Sequence, residues 1–186
     1  MKVLLQWRVW VTLIALIVSG LVIDVLWTNS QNNDKMNAKF PDVSGENLQG
    51  RPFVFPRDFQ SNRVLVLFAY EREQADALSS WVKGLELLDS KIEWYETPII
   101  SKPLQLGSWF IDGGMRKGIQ DLRVKERVIT FYTNREKFAN AVGMPFEIEG
   151  AYAMVLRRDG SVVGYVEGAF TSNGAKKISQ WLMGSD

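Results

Sequence analysis

The chain alternates between continuous apolar runs and apolar residues at helical spacing, and these two patterns predict its secondary structure. Residues 63–69 (RVLVLFA) form a continuous apolar run, which is typical of a strand covered on both faces. Residues 73–89 follow with apolar positions three and four apart, which predicts an amphipathic helix. The apolar face of that helix consists of Leu78, Trp81, Val82, Leu85 and Leu88.

The same alternation continues to the end of the chain. The predicted elements are a strand at 92–97 that Pro98 ends, a weak helix at 108–119 that contains Gly113 and Gly114, a strand at 127–133, and a helix at 134–142 that Gly143 ends. Two strands at 151–157 and 161–167 then flank Asp159-Gly160, a hairpin signal, and a last helix at 172–183 can be capped by Thr171 or Ser172. Strands joined by helices build a parallel sheet, and the hairpin adds antiparallel strands. The chain is therefore predicted to be an α/β protein with a central mixed sheet.

The first residues carry a different pattern, a long apolar stretch. Residues 9–27 contain a single charge, Asp24, and at about 1.5 Å per residue they extend about 28 Å, close to the thickness of a bilayer core. Lys2 and Arg8 precede the stretch, which favours an amino terminus in the cytoplasm. We therefore predict a single-pass membrane anchor within residues 1–27, with the rest of the chain extracytoplasmic, in a bacterial periplasm or an equivalent space.

A polar segment follows the predicted anchor. Residues 28–39 (TNSQNNDKMNAK) are rich in asparagine and predict a flexible tether, which leaves residues 40–186 for one domain. A cleaved signal peptide is the alternative to an anchor. Val18-Ser19-Gly20 offers small residues for cleavage, but the apolar stretch continues beyond it.

Two absent residue types narrow the chemistry. The 186 residues include no cysteine, which excludes disulfides, thiol nucleophiles and zinc–thiolate sites. They include no histidine, which excludes a Ser-His-Asp triad and histidine-ligated metals. Lys and Arg number 22 against 21 Asp and Glu, and this balance argues against a nucleic-acid partner. We predict no cofactor and no metal.

The predicted element order, with the piece before the first strand, resembles the thioredoxin superfold and its peroxiredoxin-like branch. Residues 40–70 have a Pro-Asp start, a Leu-x-Gly turn, a short hairpin and the central apolar strand, and residues 148–168 resemble the closing hairpin. The resemblance implies a three-layer sandwich over roughly residues 40–184. In that superfold the redox cysteines follow the central strand, where this chain has Tyr70-Glu71-Arg72-Glu73-Gln74, and a cis-proline precedes the hairpin, where it has Gly150-Ala151-Tyr152. A cis bond at a non-proline residue costs about 3 kcal/mol, so we expect a trans peptide.

The middle segment, residues 96–134, is similar to the thioredoxin-like mitochondrial ATP-synthase assembly factor family and its bacterial relatives. Thr97-Pro98-Ile99-Ile100-Ser101, the stretch from Ile111 to Ile119 around Met115-Arg116, and Ile129-Thr130-Phe131-Tyr132-Thr133 carry this similarity. Members of that family at the mitochondrial inner membrane act as chaperones in assembling the membrane sector of ATP synthase. The resemblance implies a membrane-associated, non-redox role that depends on a protein partner.

Two candidate sites adjoin the central strand. Tyr70, Glu71 and Gln74 follow its carboxyl end, where open α/β sheets bind ligands, and Glu71 with Glu73 would form a carboxylate pair. The competing interpretation, which we favour, is that these carboxylates open the next helix and stabilise its dipole. The second candidate is the corner at Gly150 and Tyr152, which either keeps a peptide-binding groove or packs as ordinary core.

The middle segment supplies two further candidates. Trp109, Met115 and Arg116 surround the Gly113-Gly114 pair, and the Arg116 guanidinium would bind a carboxylate or phosphate. The alternatives are a solvated Arg116 beside a kink and a core position for Trp109. The basic run Arg116, Lys117, Arg123, Lys125 and Arg127 would face anionic lipid, or form a solvated loop.

These observations leave two functional hypotheses. The first is a membrane-anchored, non-catalytic domain that binds or chaperones a membrane-protein partner. The alternative is a small-ligand-binding protein or a non-thiol enzyme whose pocket combines Tyr70, Glu71, Glu73 and Arg116. The alternative requires Arg116 to lie within about 10 Å of the Tyr70 loop, because groups farther apart cannot serve one reacting centre.

Overall fold

A computed structural model of the chain describes residues 38–101, 114–115, 117–144 and 150–184. Its elements, in chain order, are β1 (Val43–Glu46), β2 (Pro52–Phe55), β3 (Arg63–Ala69), a 3-10 turn (Arg72–Gln74), α1 (Ala75–Gly84), β4 (Trp94–Ser101), α2 (Leu122–Lys125), β5 (Phe131–Thr133), α3 (Arg135–Ala141), β6 (Tyr152–Arg157), β7 (Val162–Glu167) and α4 (Ser172–Met183). The predicted anchor and residues 28–37 of the predicted tether lie outside the described residues. Within the described ranges, no helix combines the length and the apolar character that crossing a membrane requires.

Five strands form one mixed sheet in the order β5-β4-β3-β6-β7. β3 pairs in parallel with β4 and antiparallel with β6, so the strand predicted to be the most apolar lies at the centre. β1 and β2 form a separate antiparallel hairpin. This arrangement confirms the predicted mixed sheet with helical crossovers and a closing hairpin.

Each face of the sheet carries its own apolar core. On the first face, the β1–β2 hairpin and α3 pack through Phe55 and Phe138 against alternate residues of β3 and β6. On the second face, α1 and α4 pack through Trp81 and Ile178 against the intervening residues of the same strands. Because successive side chains of β3 point to opposite faces, the strand contributes to both cores. This explains why its sequence is apolar without interruption. The domain therefore has three layers: α1 with α4, the five-stranded sheet, and α3 with the β1–β2 hairpin.

Strand β4 differs from its prediction, because it passes through Pro98 and continues to Ser101. The Glu96 nitrogen donates to the Arg127 carbonyl, so the Pro98 nitrogen, two residues later, also faces the β5 side. On that side the pairing of β4 is interrupted between the isolated Glu96–Val128 bridge and the first residue pair of β4 and β5. Pro98 lies in this interruption, so its missing N–H costs no hydrogen bond between strands. For this reason the proline does not end the strand.

Helix α1 ends at Gly84, five residues before its predicted end. The Glu86 nitrogen donates to the Lys83 carbonyl at 3.1 Å and the Leu87 nitrogen to the Val82 carbonyl at 3.0 Å, the two hydrogen bonds of a Schellman motif. Glu86 has a φ of 50° at the left-handed position of this motif. Leu85 and Leu88, which the prediction assigned to the helix, still pack against the second core after the helix has ended.

Glycine at position 86 should stabilise the domain, because a side chain in the left-handed region is disfavoured and glycine is not. We expect Glu86→Gly to raise the free energy of unfolding by about 0.5–1 kcal/mol, measured by urea unfolding monitored by tryptophan fluorescence. Glu86→Ala, which keeps the β-carbon, should bring no such gain. A loss of stability in Glu86→Gly would contradict the assigned cap.

The fold also changes where the domain starts. Ala38 is buried, and the Lys39 nitrogen donates to the Ala141 carbonyl at the end of α3. These two residues, which the sequence assigned to the tether, therefore pack on the domain.

Candidate functional site

The loop after β3 is closed by Gln74. The Gln74 side-chain oxygen accepts hydrogen bonds from the Tyr70 nitrogen at 2.9 Å and the Glu71 nitrogen at 3.2 Å. Gln74 sits at the end of the 3-10 turn that leads into α1, so its amide fixes the strand–helix junction. Gln74, a predicted ligand-binding residue, thus uses its carbonyl oxygen to hold the backbone of the loop.

Arg135 connects this loop to the neighbouring strand and helix. It is the first residue of α3, after Asn134, whose side chain caps the helix by accepting from the Lys137 nitrogen at 2.8 Å. The Arg135 guanidinium pairs with Glu71 at 2.6 Å, and it donates to the Tyr70 carbonyl and to the Ile99 carbonyl. We call Arg135, Tyr70, Glu71 and Ile99 the Arg135 cluster. The cluster joins the carboxyl ends of β3 and β4 to the start of α3.

The Tyr70 side chain is buried beneath the Arg135 cluster, with 7% of its surface exposed. Its ring lies 5.9 Å from the Arg135 guanidinium carbon and contacts Phe68 and Phe138 edge-on. Its hydroxyl has no hydrogen-bond partner among the described residues. Burial and then the Tyr152 phenol raise the pKa of Tyr70 above its usual range, and Arg135 offsets only part of this rise. Tyr70 is therefore a neutral core residue at neutral pH and cannot act as a base.

The corner at Gly150 and Tyr152 lies beside Tyr70, as its position before the hairpin suggested. Tyr152 is the register partner of Phe68, and their rings stack with centroids 5.2 Å apart. A β-carbon at Gly150 would lie 3.1 Å from the Glu167 side chain, so the corner is tightly packed. Among the described residues the cis peptide bond joins Phe55 to Pro56, and the bond between Gly150 and Ala151 is trans.

The second predicted site is described only in part. Trp109 and Arg116 lie outside the described residues, and residues 114–115 and 117–118 are helical. Met115 is half-buried, and its carbonyl accepts from the Ile119 nitrogen at 2.9 Å. The proposed ligand of Arg116, and its approach to the Tyr70 loop, remain predictions.

Two arginines of the basic run make contacts within the domain. Arg123 pairs with Asp121 at 2.9 Å and with Asp89 at 3.3 Å, and the hydrogen bond from the Arg123 side chain lowers the pKa of Asp121. Arg127 lies over the Trp94 and Tyr95 rings, 5.8 Å from each centroid, and donates to the Trp94 carbonyl. These two arginines therefore already have partners within the domain, and the contact of the basic run with lipid stays a prediction.

The exposed part of the site is a rim formed by Arg72, Glu73 and Asp76. These side chains line an open depression together with Ala75 at the start of α1. Glu71, with 57% of its side chain exposed, adjoins the rim through its pair with Arg135. Across the described ranges, no three carboxylates are grouped closely enough to hold a metal ion.

One carboxyl away from the rim has an unusual environment. Glu96 is the register partner of Leu67 in β4 and points to the second face, between the positions of Trp94 and Pro98. Its carboxyl makes no hydrogen bond or ion pair with a described residue, and burial alone raises the pKa of Glu96 to about 7. Such a group makes the stability of the sheet depend on pH.

Arg135 is the residue of this site that the sequence analysis missed. Two signals pointed to it. It follows the predicted third strand, whose carboxyl end must lie at the same sheet edge as Tyr70, and it opens a helix behind a capping asparagine. Its three partners are 36, 64 and 65 positions away, so only the topology of the sheet identifies them.

Comparison with known proteins bears on the fold. No family model matches the chain, and no curated protein matches it. A proposed electron transfer protein from Aquifex aeolicus VF5 is similar in structure, with a TM-score of 0.57, 14% identity, and coverage of 81% of this chain and 99% of its own. BsSco, a member of the Sco family of cytochrome c oxidase assembly proteins, has a TM-score of 0.50, 14% identity, and coverage of 78% and 92%. At these identities the similarity establishes the fold alone, and that fold is a thioredoxin-like mixed α/β domain.

Proposed function

We propose that this chain is a membrane-anchored, non-redox thioredoxin-like domain that binds or chaperones a membrane-protein partner. The observation that carries the proposal is the Arg135 cluster. It occupies the sheet edge at which thioredoxin-like proteins have their redox cysteines, in a chain without any cysteine.

The Arg135 cluster favours a binding role over a catalytic role, because its polar groups already form hydrogen bonds and an ion pair with one another. The Arg135 side chain uses the Tyr70 and Ile99 carbonyls and the Glu71 carboxylate, and Gln74 uses the backbone of the loop. A general acid or base needs a reachable proton and a pKa near the working pH, and the buried Tyr70 phenol has neither. The groups that remain available at this edge are the exposed side chains of Arg72, Glu73 and Asp76.

Two resemblances support a role in membrane-protein assembly. The middle segment around Met115-Arg116 is similar to the ATP-synthase assembly factor family, and the structurally similar BsSco belongs to a family of cytochrome c oxidase assembly proteins. The apolar stretch at residues 9–27 supports attachment to the membrane in which such partners assemble. The alternative, a ligand pocket that includes Arg116, depends on a residue outside the described ranges and stays a prediction.

Position-specific photo-crosslinking in native membranes tests the proposal. Benzoylphenylalanine at Glu73 or Asp76 should give one discrete adduct with an integral membrane protein, because both side chains are exposed on the rim. Lys176, exposed on α4, provides the matched control position and should not give that adduct. The same partner should become less abundant, or remain unassembled, in cells that lack this chain.

Two results would overturn the proposal. One is the absence of any rim-specific adduct while the full chain is intact and present in the membrane fraction. The other is an adduct whose partner assembles normally without the chain.

A further inference from the structure

Helix α4 begins with the only Asn-Gly pair in the sequence. Asn173 alone among the asparagines of the chain precedes a glycine, Gly174. The side-chain amide of an asparagine in this position is open to attack by the backbone nitrogen that follows it, because glycine has no β-carbon to hinder the approach. The attack forms a cyclic imide, which water opens to aspartate or isoaspartate. The pair is therefore a candidate for spontaneous modification.

The packing of α4 on α1 explains why a glycine stands at position 174. Gly174 is buried, and a β-carbon there would lie 2.9 Å from the Trp81 ring and 3.1 Å from the Val166 side chain. Trp81 is fully buried, and its indole nitrogen donates to the Gly168 carbonyl at 2.8 Å, so the ring is held in place. Glycine is otherwise disfavoured inside a helix. The close approach to Trp81 therefore requires the residue that makes its asparagine neighbour reactive.

Asn173 also differs from the other described asparagines in its surroundings. Its side chain is exposed, so water reaches the amide. Asn47 is buried and donates to the Glu126 carbonyl, and Asn134 caps α3 with its side-chain oxygen. Each of the other asparagines precedes a residue that carries a side chain. Asn173 is therefore the asparagine at which we expect conversion to be concentrated.

Thr171 holds the attacking nitrogen within the helix. The Gly174 nitrogen donates to Thr171 Oγ1 at 3.0 Å, and the Ala175 nitrogen donates to the Thr171 carbonyl at 2.8 Å. A helical ψ of about −42° at Asn173 also keeps the Gly174 nitrogen out of line with the amide carbon. The attack therefore requires the first turn of α4 to open. Because the ends of helices open at a small cost in free energy, the cap determines how often this happens.

We propose that Asn173-Gly174 is a modification site, at which the chain converts slowly to aspartate and isoaspartate at a rate that the Thr171 cap limits. The Gly174 nitrogen loses its proton to solvent and bonds to Cγ of Asn173, and the side-chain amide leaves as ammonia. Water then adds to either carbonyl of the imide and breaks the bond from that carbonyl to the nitrogen. The net reaction consumes one water molecule and releases one ammonia molecule.

The two products have opposite effects on the domain. Aspartate keeps the backbone unchanged and adds a carboxylate to a first turn that has no acidic residue, which the helix dipole favours. Isoaspartate inserts a methylene group into the main chain before Gly174, where the contact with Trp81 leaves no space for an added atom. Isoaspartate therefore weakens the packing of α4 on α1, so the stability of the domain declines as the molecule ages.

Mass spectrometry of the aged full chain tests the proposal. The purified chain is kept at neutral pH, either folded or unfolded in urea, and samples taken over several weeks are digested with trypsin. Position 173 lies in the peptide from Asp159 to Lys176, and fragmentation of that peptide separates aspartate from isoaspartate at this position. We expect both products in both samples, with slower conversion in the folded chain.

Two variants of the cap provide the second measurement. Thr171→Val keeps the shape of the side chain and removes the oxygen that accepts from the Gly174 nitrogen. Because a cap of this kind contributes about 1 kcal/mol, conversion in the folded chain should become about fivefold faster. Thr171→Ser keeps the hydroxyl and should convert at the wild-type rate. In urea all three chains should convert equally fast, since no helix then protects the pair.

Three results would overturn the proposal. The first is a folded wild-type chain that remains unmodified at position 173 while the unfolded chain converts. The second is an equal rate in the folded and unfolded wild type, which would show that the helix gives no protection. The third is a folded Thr171→Val chain that converts at the wild-type rate. The first two comparisons use the wild type alone, so they hold even if Thr171→Val does not fold.

Discussion

Replacing Arg135 with alanine should lower the free energy of unfolding by about 3 kcal/mol. The substitution removes the donor to the Tyr70 and Ile99 carbonyls and the partner of Glu71. A buried acceptor left without a donor costs about 1–3 kcal/mol, and the cation–π contact between the guanidinium and the Tyr70 ring is lost as well. The Arg135 side chain is 28% exposed, so water replaces part of what is lost and keeps the estimate below the sum of these losses.

Urea unfolding monitored by tryptophan fluorescence measures this effect, and two variants resolve its origin. Arg135→Lys keeps the charge but not the planar fork, and it should recover less than half of the loss. Glu71→Gln should cost less than about 1 kcal/mol, because Glu71 is more than half exposed. The backbone carbonyls, and not the ion pair, would then account for most of the effect.

Arg123 is the matched control for Arg135. It also contacts two acceptors, Asp121 and Asp89, but on the surface, where water and salt replace such contacts. Arg123→Ala should leave the unfolding midpoint nearly unchanged. If Arg135→Ala left the unfolding midpoint as unchanged as Arg123→Ala, the Arg135 cluster would have no structural role. The proposed function, which depends on that cluster, would then lose its support.

The sequence predicted best the elements whose signals lie within a few neighbouring residues. Strand β3, the β6–β7 hairpin and α4 were predicted closely because their signals are local: an apolar run, an Asp-Gly turn and a capped amphipathic face. The thioredoxin-like fold followed from the order of such elements. The order of the elements also predicted that Tyr70 and Tyr152 lie close together. In the structure β3 ends, and β6 begins, at the same end of the sheet.

Interactions between distant residues were beyond local patterns. The partners of Arg135 lie between 36 and 65 positions away from it along the chain. The ion pair of Arg123 is another example, because its partner Asp89 lies in the loop after α1. Pro98 misled the strand prediction because its effect depends on which side of the strand its nitrogen faces.

Glu96 provides the second large prediction, a domain that loses stability as the pH rises. The pKa of Glu96, about 7 in the fold, lies above the ordinary glutamate value of 4.5 because the carboxyl is buried. Below both values the carboxyl is protonated in the folded and unfolded states and costs nothing. Between them the unfolded chain releases the proton while the fold retains it, so stability falls, and above pH 7 the full cost of the buried charge applies.

Glu96→Gln should remove this dependence. The full shift corresponds to about 3 kcal/mol, and the partial exposure of the residue reduces the expected gain to about 2 kcal/mol at pH 8. At pH 4 the variant and the wild type should be equally stable, because both side chains are then neutral. Urea unfolding at several pH values between 4 and 8 measures the difference directly.

Glu46→Gln is the control, since Glu46 is exposed at the end of β1 and its replacement should leave the pH profile of stability unchanged. A constant difference between Glu96→Gln and the wild type at all pH values would contradict the argument, because it would reflect altered packing and not the charge. A gain that appears only as the pH rises through the range from 4.5 to 7 would identify the Glu96 carboxylate as its source. In that case the stability of β4, the strand between β3 and β5, depends on the pH of the surroundings.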